Sequence, residues 1–461
     1  MNNVNLDDRI DIPLDADQIE TGDGFIDGEG VYIAERIGGT GESDFEDDVE
    51  ALLGKVGWRT FAKERRETEL EGQPKWAVAQ KDYDRKLAIK TDSLISFIKE
   101  TQPKEWAKIE GLYGAKAKEE FMKRLVSVLE PQQRYNGLVE TLRKGFDMPP
   151  GAHFKLVYFK PANDKNPDLL AKYRANRFEV VRQLSYGNYG HNEKDAVDVA
   201  LFLNGLPIVT MELKNNLTGQ RTASAVKQYK TDRDPKEVIF QPNRRALVHF
   251  ALDSETVEMC TWLKGKDSVF LPFNKGNGMA GGGNPANPNG YRTEYLYLEV
   301  LAPDSLLDII QRFVRVEHKK DSRRRNVMDK VIFPRYHQLD AVRKLTADAK
   351  QNGPGHNYLV QHSAGSGKSN SIAWLAHHLQ SLHDDNDKPV FDTVIVLTDR
   401  RNLDSQLSED VDAASSVTGV VRRIEEKDGS AGLRDALNEG AQIITSTIQK
   451  FPYICKETEV A

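Results

Sequence analysis

Asp198, Glu212 and Lys214 are charged residues set into two apolar runs, DAVDVALFLNG and LPIVTMELKNN, that follow one another between Asp195 and Asn216. Both runs are too apolar for a solvated ribbon and read as core strands. An ionised Asp198 between Val197 and Val199 is costly to bury unless a partner or a metal compensates it. Glu212 and Lys214 stand two apart, so in a strand they project from one face. A carboxylate on one strand, with a carboxylate and a lysine on the next, has the makings of a Mg²⁺-dependent phosphodiesterase site. The carboxylates would hold the hard cation, the cation would activate water and phosphate, and the ammonium would steady developing negative charge. The plain alternative is a Glu212–Lys214 salt bridge, with Asp198 capping a local network.

The connection between the runs decides whether the acids can meet. Asn204-Gly205 is a strong hairpin signal. With those two residues alone as the loop, Leu203 would face Leu206, Asp198 would face Met211, and Asp198 and Glu212 would point to opposite faces. An odd-length loop restores the parity. The expectation is therefore a bulged turn over Leu203-Asn204-Gly205, with Gly205 left-handed. Downstream, TASAVKQYK reads as a short helix that brings back Gln228 and Tyr229. An amide and a phenol there could orient substrate or metal-bound water, or be two ordinary, partly exposed helix residues. Upstream, Ser43-Asp44-Phe45-Glu46 opens a helix with Val49, Leu52 and Leu53 on its inner side. Glu46 is either the third residue of a capping box with Ser43 or an auxiliary carboxylate of the site.

The elements that must position these residues follow from periodicity. Leu94, Ile95, Phe97 and Ile98, then Phe121, Leu125, Val126 and Leu129, then Leu138, Leu142 and Phe146 mark helices across 91–145. Strands are expected at 154–160, 177–183, 246–252 and 256–263 beside the central pair. The fold class is α/β: a mixed sheet flanked by helices over 45–265, with a helical insertion near 91–145. Residues 272–290, rich in Gly, Asn and Pro, read as a flexible loop in a linker of 266–330. A helix is expected over 304–317, and the basic run Lys319–Arg325 as a solvated helix end or a phosphate contact.

A second chemical centre begins near 331. Tyr358-Leu-Val-Gln361 reads as a short buried strand, His362-Ser363-Ala364-Gly365-Ser366-Gly367-Lys368-Ser369 as a glycine loop, and Ser369 to His383 as an amphipathic helix. Such a loop aims backbone N–H groups and a helix dipole at one point, Lys368 reaches terminal phosphates, and Ser369 can bind Mg²⁺. Strict Walker A spacing wants glycine where His362 stands; the GSGKS core still points to nucleotide binding. Gln338, in FPRYHQ, could read an adenine edge, with Arg335 or Tyr336 stacking. Strands are expected at 393–400 and 442–449. Loops at such strand ends carry function in parallel sheets, so Thr398, Arg400, Thr445 and Thr447 are candidate phosphate contacts along DNA.

At 461 residues the chain has room for two or three domains. Residues 1–50 hold 16 Asp/Glu against 2 Arg, a net of −14, so the chain total of −6 leaves +8 on the rest. An acidic arm, read as a flexible segment over 1–44, ahead of a moderately basic body is compatible with nucleic-acid binding. Cys260 and Cys455 match no zinc or redox spacing, which points to a reducing compartment. Neither a signal peptide nor a run of about 20 apolar residues is present, so the expected location is cytoplasmic, without membrane contact.

Several blocks together resemble the restriction, or motor, subunit of type I restriction–modification enzymes: AVDVALFLNGLPIVTMELKNNLTGQ, AVKQYKTDRDP, ALVHFALD, FLPFNKGNGMAGGGNP, FPRYHQLDAVRKL, HSAGSGKSNSIAWLA, VIVLTDRRNLDSQL and IITSTIQKF. The resemblance spans residues 45 to 452. It implies a PD-(D/E)xK endonuclease domain followed by a superfamily 2 motor with RecA-like domains. Asp198 and Glu212 would be the metal carboxylates and Lys214 the catalytic lysine. Gln228 and Tyr229 would fall in the family's Q/Y motif, although adjacent instead of spaced. Gln338 would belong to the adenine-sensing motif, residues 363–369 to motif I, and Thr447 to a DNA-contacting motif. The implied cofactors are Mg²⁺ and ATP. The implied partners are double-stranded DNA and the methyltransferase and specificity subunits. No DEAD/DEAH box follows IITSTIQKF, so the reading is an N-terminal fragment with a partial RecA-like P-loop domain over 331–461, without efficient ATP hydrolysis of its own. A stand-alone repair helicase–nuclease and a degenerate DNA-binding scaffold are the alternatives.

Overall fold

In this computed structural model the described residues are 42–450, apart from 71–75, 131–136, 162, 164, 188–194, 217–218, 279–281, 321, 323–325, 400–406, 413–418 and 425. The acidic arm before 42 lies outside them. Helix α1 (Glu42–Lys55) sends Phe45, Val49, Leu52 and Leu53 inward, as its periodicity requires. The expected helical stretch is four helices, α2 (Thr91–Thr101), α3 (Pro103–Tyr113), α4 (Ala117–Leu129) and α5 (Gly137–Lys144). Their apolar faces, led by Phe97, Phe121 and Leu142, join α1 in one core.

The central pair are strands, and they lie in one six-stranded sheet whose order follows the sequence. The strands are β1 (Phe178–Ser185), β2 (Ala196–Leu203), β3 (Leu206–Leu213), β4 (Val248–Leu252), β5 (Val257–Cys260) and β6 (Leu271–Pro272). All neighbours are antiparallel except β3 and β4, which are parallel. A parallel step needs a crossover, and α6 (Thr222–Thr231) supplies it. Asp253, at the end of β4, accepts the Thr222 N–H (2.8 Å) and so ties the start of α6 to the sheet. Both faces are covered, which is why β3 is buried along its whole length. Val199, Leu201, Leu203, Met211 and Leu213 join the core of α1 to α5. Ala200 and Phe202 join a smaller core with Ala225 and Tyr229 of α6. By alternation Asp198 shares the second face, and Glu212 shares it with Thr210, whose hydroxyl meets Tyr229.

The turn corrects the expectation of a bulged loop. Asn204 (φ 51°) and Gly205 (φ 83°) alone connect the strands, and Leu203 pairs with Leu206. The parity is restored inside the strand instead. Phe202 pairs with Pro207 but Leu201 with Val209, so Ile208 is the extra residue of a bulge, and Val199 then pairs with Met211. Pro207, with no N–H to give a ladder, sits where the ladder is interrupted. Continued one step, the register sets Asp198 opposite Glu212.

Two contacts fix this turn. Asn204 is fully buried and donates to Leu156 O and Asn176 Oδ1, both at 2.9 Å. Gly205 O accepts the Lys90 N–H at 2.8 Å, and a Cβ on Gly205 would lie 2.5 Å from Lys90 O. Gly205→Ala therefore combines a positive φ with a backbone collision, and is expected to cost about 2–4 kcal/mol. The shift of the urea midpoint at unchanged slope measures it.

Beyond the sheet, the expected helix over 304–317 ends by Phe313. Lys319 and Lys320, which open the basic run, end strand β7 (Arg315–Lys320), which pairs with β8 (Asn326–Ile332), and are not a helix end; 321 and 323–325 lie outside the described residues. Cross-strand pairs explain why: Lys319 meets Asp329, and Lys330 meets Glu317 at 2.8 Å. The described part of the Asn/Gly stretch is anchored, since Asn284 is buried, accepts the Lys275 N–H (2.7 Å) and donates to Glu255 O (2.8 Å). Helices α7 (Tyr336–Asn352) and α8 (Lys368–Gln380) follow. Strands β9 (Val394–Thr398), β10 (Val421–Arg423) and β11 (Ile443–Thr447) form a parallel sheet in the order β9-β11-β10. Trp374 of α8 packs on Phe313, ring centroids 5.4 Å apart, so α8 shares the larger core. Two expected strands are missing: residues 155–160 form none after Phe154, which ends a short strand (Ala152–Phe154) of a separate hairpin, and residues 358–361 form none either. Tyr358 to Gln361 is extended without ladder partners, and Leu359 is 88% exposed. A buried parallel strand needs neighbours to bond, and the described sheet is built without this run.

Candidate active site

The acids meet where the sheet parts. The β2–β3 ladder stops at Val199–Met211, while β1–β2 pairing continues to Ser185–Ala196 and β3–β4 pairing to Leu213–Leu252. In the opening, Asp198 Oδ2 accepts the Leu213 N–H at 2.7 Å. A backbone donor that would otherwise lack a ladder partner thus fixes the carboxylate. Lys214 Nζ is 3.9 Å from the same oxygen. Both side chains are nearly buried, where their charges act on one another more strongly than in water.

Glu212 is fully buried and its two oxygens accept from Arg233, Nε at 2.7 Å and Nη2 at 3.0 Å. This forked pair takes the place of the simple Glu212–Lys214 bridge. Burial, then the neighbouring Asp198 charge, hold the Glu212 carboxyl well above its ordinary range, against the pull of Arg233. Arg233 also lies over Tyr186, 5.8 Å from the ring centroid. Sequence reasoning missed Arg233; its one signal was a cation in a polar turn, TDRDP, soon after the helix that returns to the site.

Glu46 reaches the site and is not spent on a cap. Helix α1 already starts at Glu42, and Glu46 Oε2 accepts from Arg182 Nη2 at 2.9 Å. Its Oε1 accepts from Gln183 Nε2 at 3.0 Å, and the same nitrogen is 3.4 Å from Asp198 Oδ1. Arg182, fully buried, also bonds Asp47 and Glu50 and so partly offsets the acidic row of α1, Arg65 sharing Glu50. Burial and the Asp198 charge push the Glu46 carboxyl up, Arg182 pulls it down, and the net direction is up.

Of the two candidates from α6, Tyr229 departs from the expected partial exposure and Gln228 does not. Tyr229 is fully buried, and its hydroxyl pairs with Thr210 Oγ1 at 2.8 Å. Thr210 in turn meets His249 Nδ1 at 2.7 Å, and burial lowers the His249 pKa to about 3, so the ring stays neutral. Tyr229 is thus a wall behind Glu212, without access to substrate, because its ring fills the smaller core. Gln228 is half-buried beside it.

The donor chemistry suits a hard cation. Among the described residues no three His, Cys, Asp or Glu side chains form a metal cage. Mg²⁺, however, keeps most of its waters and commonly takes only one or two carboxylates. Asp198 and Glu212, with Glu46 across Gln183, offer oxygen ligands of that kind.

The glycine loop opens a helix as its motif requires, although the strand expected before it is not formed. Gly365 (φ 74°) and Gly367 (φ 83°) are left-handed, and α8 begins at Lys368. Ser363, Ala364, Gly365 and Lys368 are exposed, Ser366 is buried and Ser369 half-buried. Lys368 Nζ donates to His362 O (3.2 Å) and Ser363 O (3.0 Å). Gln338 makes two bonds within the chain. It is buried, its Oε1 accepts the Arg335 N–H (2.9 Å) and its Nε2 donates to Gly367 O (2.9 Å). The amide braces α7 against the loop and keeps one N–H and one lone pair uncommitted to these two bonds. Thr398 and Thr447 end neighbouring strands in register. Thr447 is nearly buried, and Thr445 is buried against Ser408 Oγ at 2.8 Å, which removes Thr445 as a phosphate contact. Arg400 lies outside the described residues.

Residues 41–268 match the family described as type I restriction enzyme R protein N terminus, and residues 337–460 match the SWI2/SNF2 ATPase family. Two family models thus match successive parts of the chain, and the resemblance read from its motifs is borne out. Among curated proteins it is similar to the type I restriction enzyme HindI endonuclease subunit of Haemophilus influenzae, 25% identical over 302 residues, 60% of this chain and 26% of that one. The type I restriction enzyme SauCOLORF180P endonuclease subunit of Staphylococcus aureus is 25% identical over 286 residues, again 60% and 26%. The SsaAORF53P endonuclease subunit of Staphylococcus saprophyticus is 24% identical over 285 residues. The chain spans about a quarter of the length of these relatives.

Proposed function

We propose that residues 45–265 form a Mg²⁺-dependent endonuclease domain of the PD-(D/E)xK type, and that 331–461 belong to a RecA-like, ATP-binding motor domain. The whole protein would act as the restriction subunit of a type I restriction–modification complex, cutting double-stranded DNA beside methyltransferase and specificity subunits. The observation that carries this reading is the placement of Asp198 across from Glu212 just beyond the last β2–β3 pair, near enough for the Asp198 charge to raise the Glu212 carboxyl, with the Lys214 ammonium 3.9 Å from Asp198. The endonuclease names of the relatives agree with it.

When bound, Mg²⁺ supplies Lewis-acid activation of phosphate and water. Asp198 and Glu212 are the residues that would hold it, and the Leu213 N–H keeps the Asp198 carboxylate aimed. Lys214 places a fixed positive charge where negative charge grows on the phosphate. In the second domain Lys368 and the loop N–H groups would bind a nucleotide's phosphates, which compete for the ammonium with His362 O and Ser363 O.

Nicking of supercoiled plasmid by the full chain tests the reading. Nicking is expected with Mg²⁺, should stop with a chelator and return on Mg²⁺ addition, and should be absent in Asp198→Ala. Nicking that persists in that variant, or that ignores the chelator, would overturn the assignment.

A further inference from the structure

Gln183, which bridges Glu46 and Asp198, stands where the β1–β2 ladder is interrupted. It stands opposite Asp198, since its neighbours pair as Arg182–Val199 and Leu184–Val197. It is a non-glycine residue at φ 48° within a strand. An L side chain there is strained by about 1–2 kcal/mol, and such strain persists only where surrounding contacts hold it. Gln80, at the end of the short helix Ala77–Gln80, supplies those contacts. Its Nε2 donates to Gln183 O at 2.8 Å and its Oε1 accepts the Ser185 N–H at 3.1 Å. The kink's backbone groups are thereby paired by a side chain from outside the sheet.

The kink delivers the Gln183 amide between two acids. Its Nε2 is 3.0 Å from Glu46 Oε1 and 3.4 Å from Asp198 Oδ1. Ionised carboxylates only accept, so they fix which end of the amide faces them. A donor shared by two carboxylates offsets their repulsion as a cation does. A cation at that place would face the amide N–H and be repelled. The terminal torsion of glutamine is broad and roughly two-fold, so half a turn presents Oε1, a hard oxygen of the kind Mg²⁺ and Mn²⁺ accept.

Resting on the nuclease site proposed above, we propose that Gln183 is a further cation-site residue: its amide nitrogen holds Glu46 and Asp198 together without metal, and its amide oxygen ligates the divalent ion that they bind. A residue that served only to shape the strand would leave ion affinity unchanged once the backbone was satisfied.

Calorimetric titration of the full chain with Mn²⁺ alone, beside metal-free melting curves, separates the cases. Gln183→Gly relieves the positive φ while removing the amide, and should weaken Mn²⁺ binding about 10-fold or more. Gln183→Glu replaces the donor with a third carboxylate. It should melt lower without metal yet bind Mn²⁺ about 10-fold tighter. Gln183→Asn tolerates the conformation but is one methylene short, and should fall between Gln183→Gly and the unchanged chain. Asp198→Ala should abolish binding. If Asp198→Ala abolishes it while Gln183→Gly and Gln183→Glu stay within twofold of the unchanged chain, the role of Gln183 is overturned and the nuclease reading stands. If Asp198→Ala leaves Mn²⁺ binding intact, the site itself is wrong and the inference falls with it.

Discussion

Lys214→Met should lower the rate of Mg²⁺-dependent nicking by about 10²–10³-fold while leaving Mn²⁺ binding almost intact. The ammonium lies 3.9 Å from Asp198 Oδ2, beyond hydrogen-bond distance, and the Leu213 N–H holds that oxygen independently at 2.7 Å. On the proposed reading its loss removes a nearly buried positive charge that would face the phosphate, the kind of change that costs two to three powers of ten. The methionine keeps the apolar stem, so the melting temperature should move little. A variant that nicks at the full rate would remove Lys214 from the reaction. A variant that fails to bind Mn²⁺ would make it a structural partner of the acids.

Arg233→Ala should be the most damaging single change to stability, about 3–5 kcal/mol at neutral pH, because it leaves the fully buried Glu212 without its forked partner. The penalty should shrink on acidification, and the sign follows from the carboxyl. Burial and Asp198 already hold Glu212 above its ordinary range, so the folded state binds that proton more tightly than the unfolded chain does. A group shifted in this direction stabilises the fold below its unfolded pKa, and that contribution is lost as pH rises through the folded value. Without Arg233 the shift grows, so the gap between variant and unchanged chain should be wider at pH 7 than near pH 5. Glu46 is shifted the same way. Cation binding must displace the protons on both acids, so Mn²⁺ affinity should rise with pH over the same window. Chemical denaturation at the two pH values, and calorimetry across them, measure these effects.

Much of the site was legible because strand alternation is rigid. Asp198, Glu212 and Lys214 could be assigned to two core strands, and the parity argument correctly required one extra residue between them. Its position was not legible. The loop is Asn204-Gly205, as that dipeptide favours, and the bulge falls at Ile208, which the larger core holds from a distance in sequence. Pro207 was the local mark of it. Arg233 and Gln183 were missed for one reason: a forked ion pair and a shared amide are facts of tertiary placement, and neither residue type has a spacing signature. A polar Arg182-Gln183 pair inside the apolar VVRQL run was the visible irregularity. Tyr229 was assigned an outward role because helix patterns do not say which polar tip is needed to satisfy the interior. Thr210 takes this one. Tyr358-Leu-Val-Gln361 has a buried strand's composition, but a strand also needs a bonded neighbour, which composition cannot supply.

Anomalous scattering from crystals of the chain soaked in Mn²⁺ tests most directly whether Asp198 and Glu212 share an ion. One peak is predicted at about 2.1 Å from an oxygen of each carboxylate, with Arg233 displaced from at least one Glu212 oxygen. An ion-free site at saturating Mn²⁺, with Glu212 still gripped by both arms of Arg233, would contradict the account.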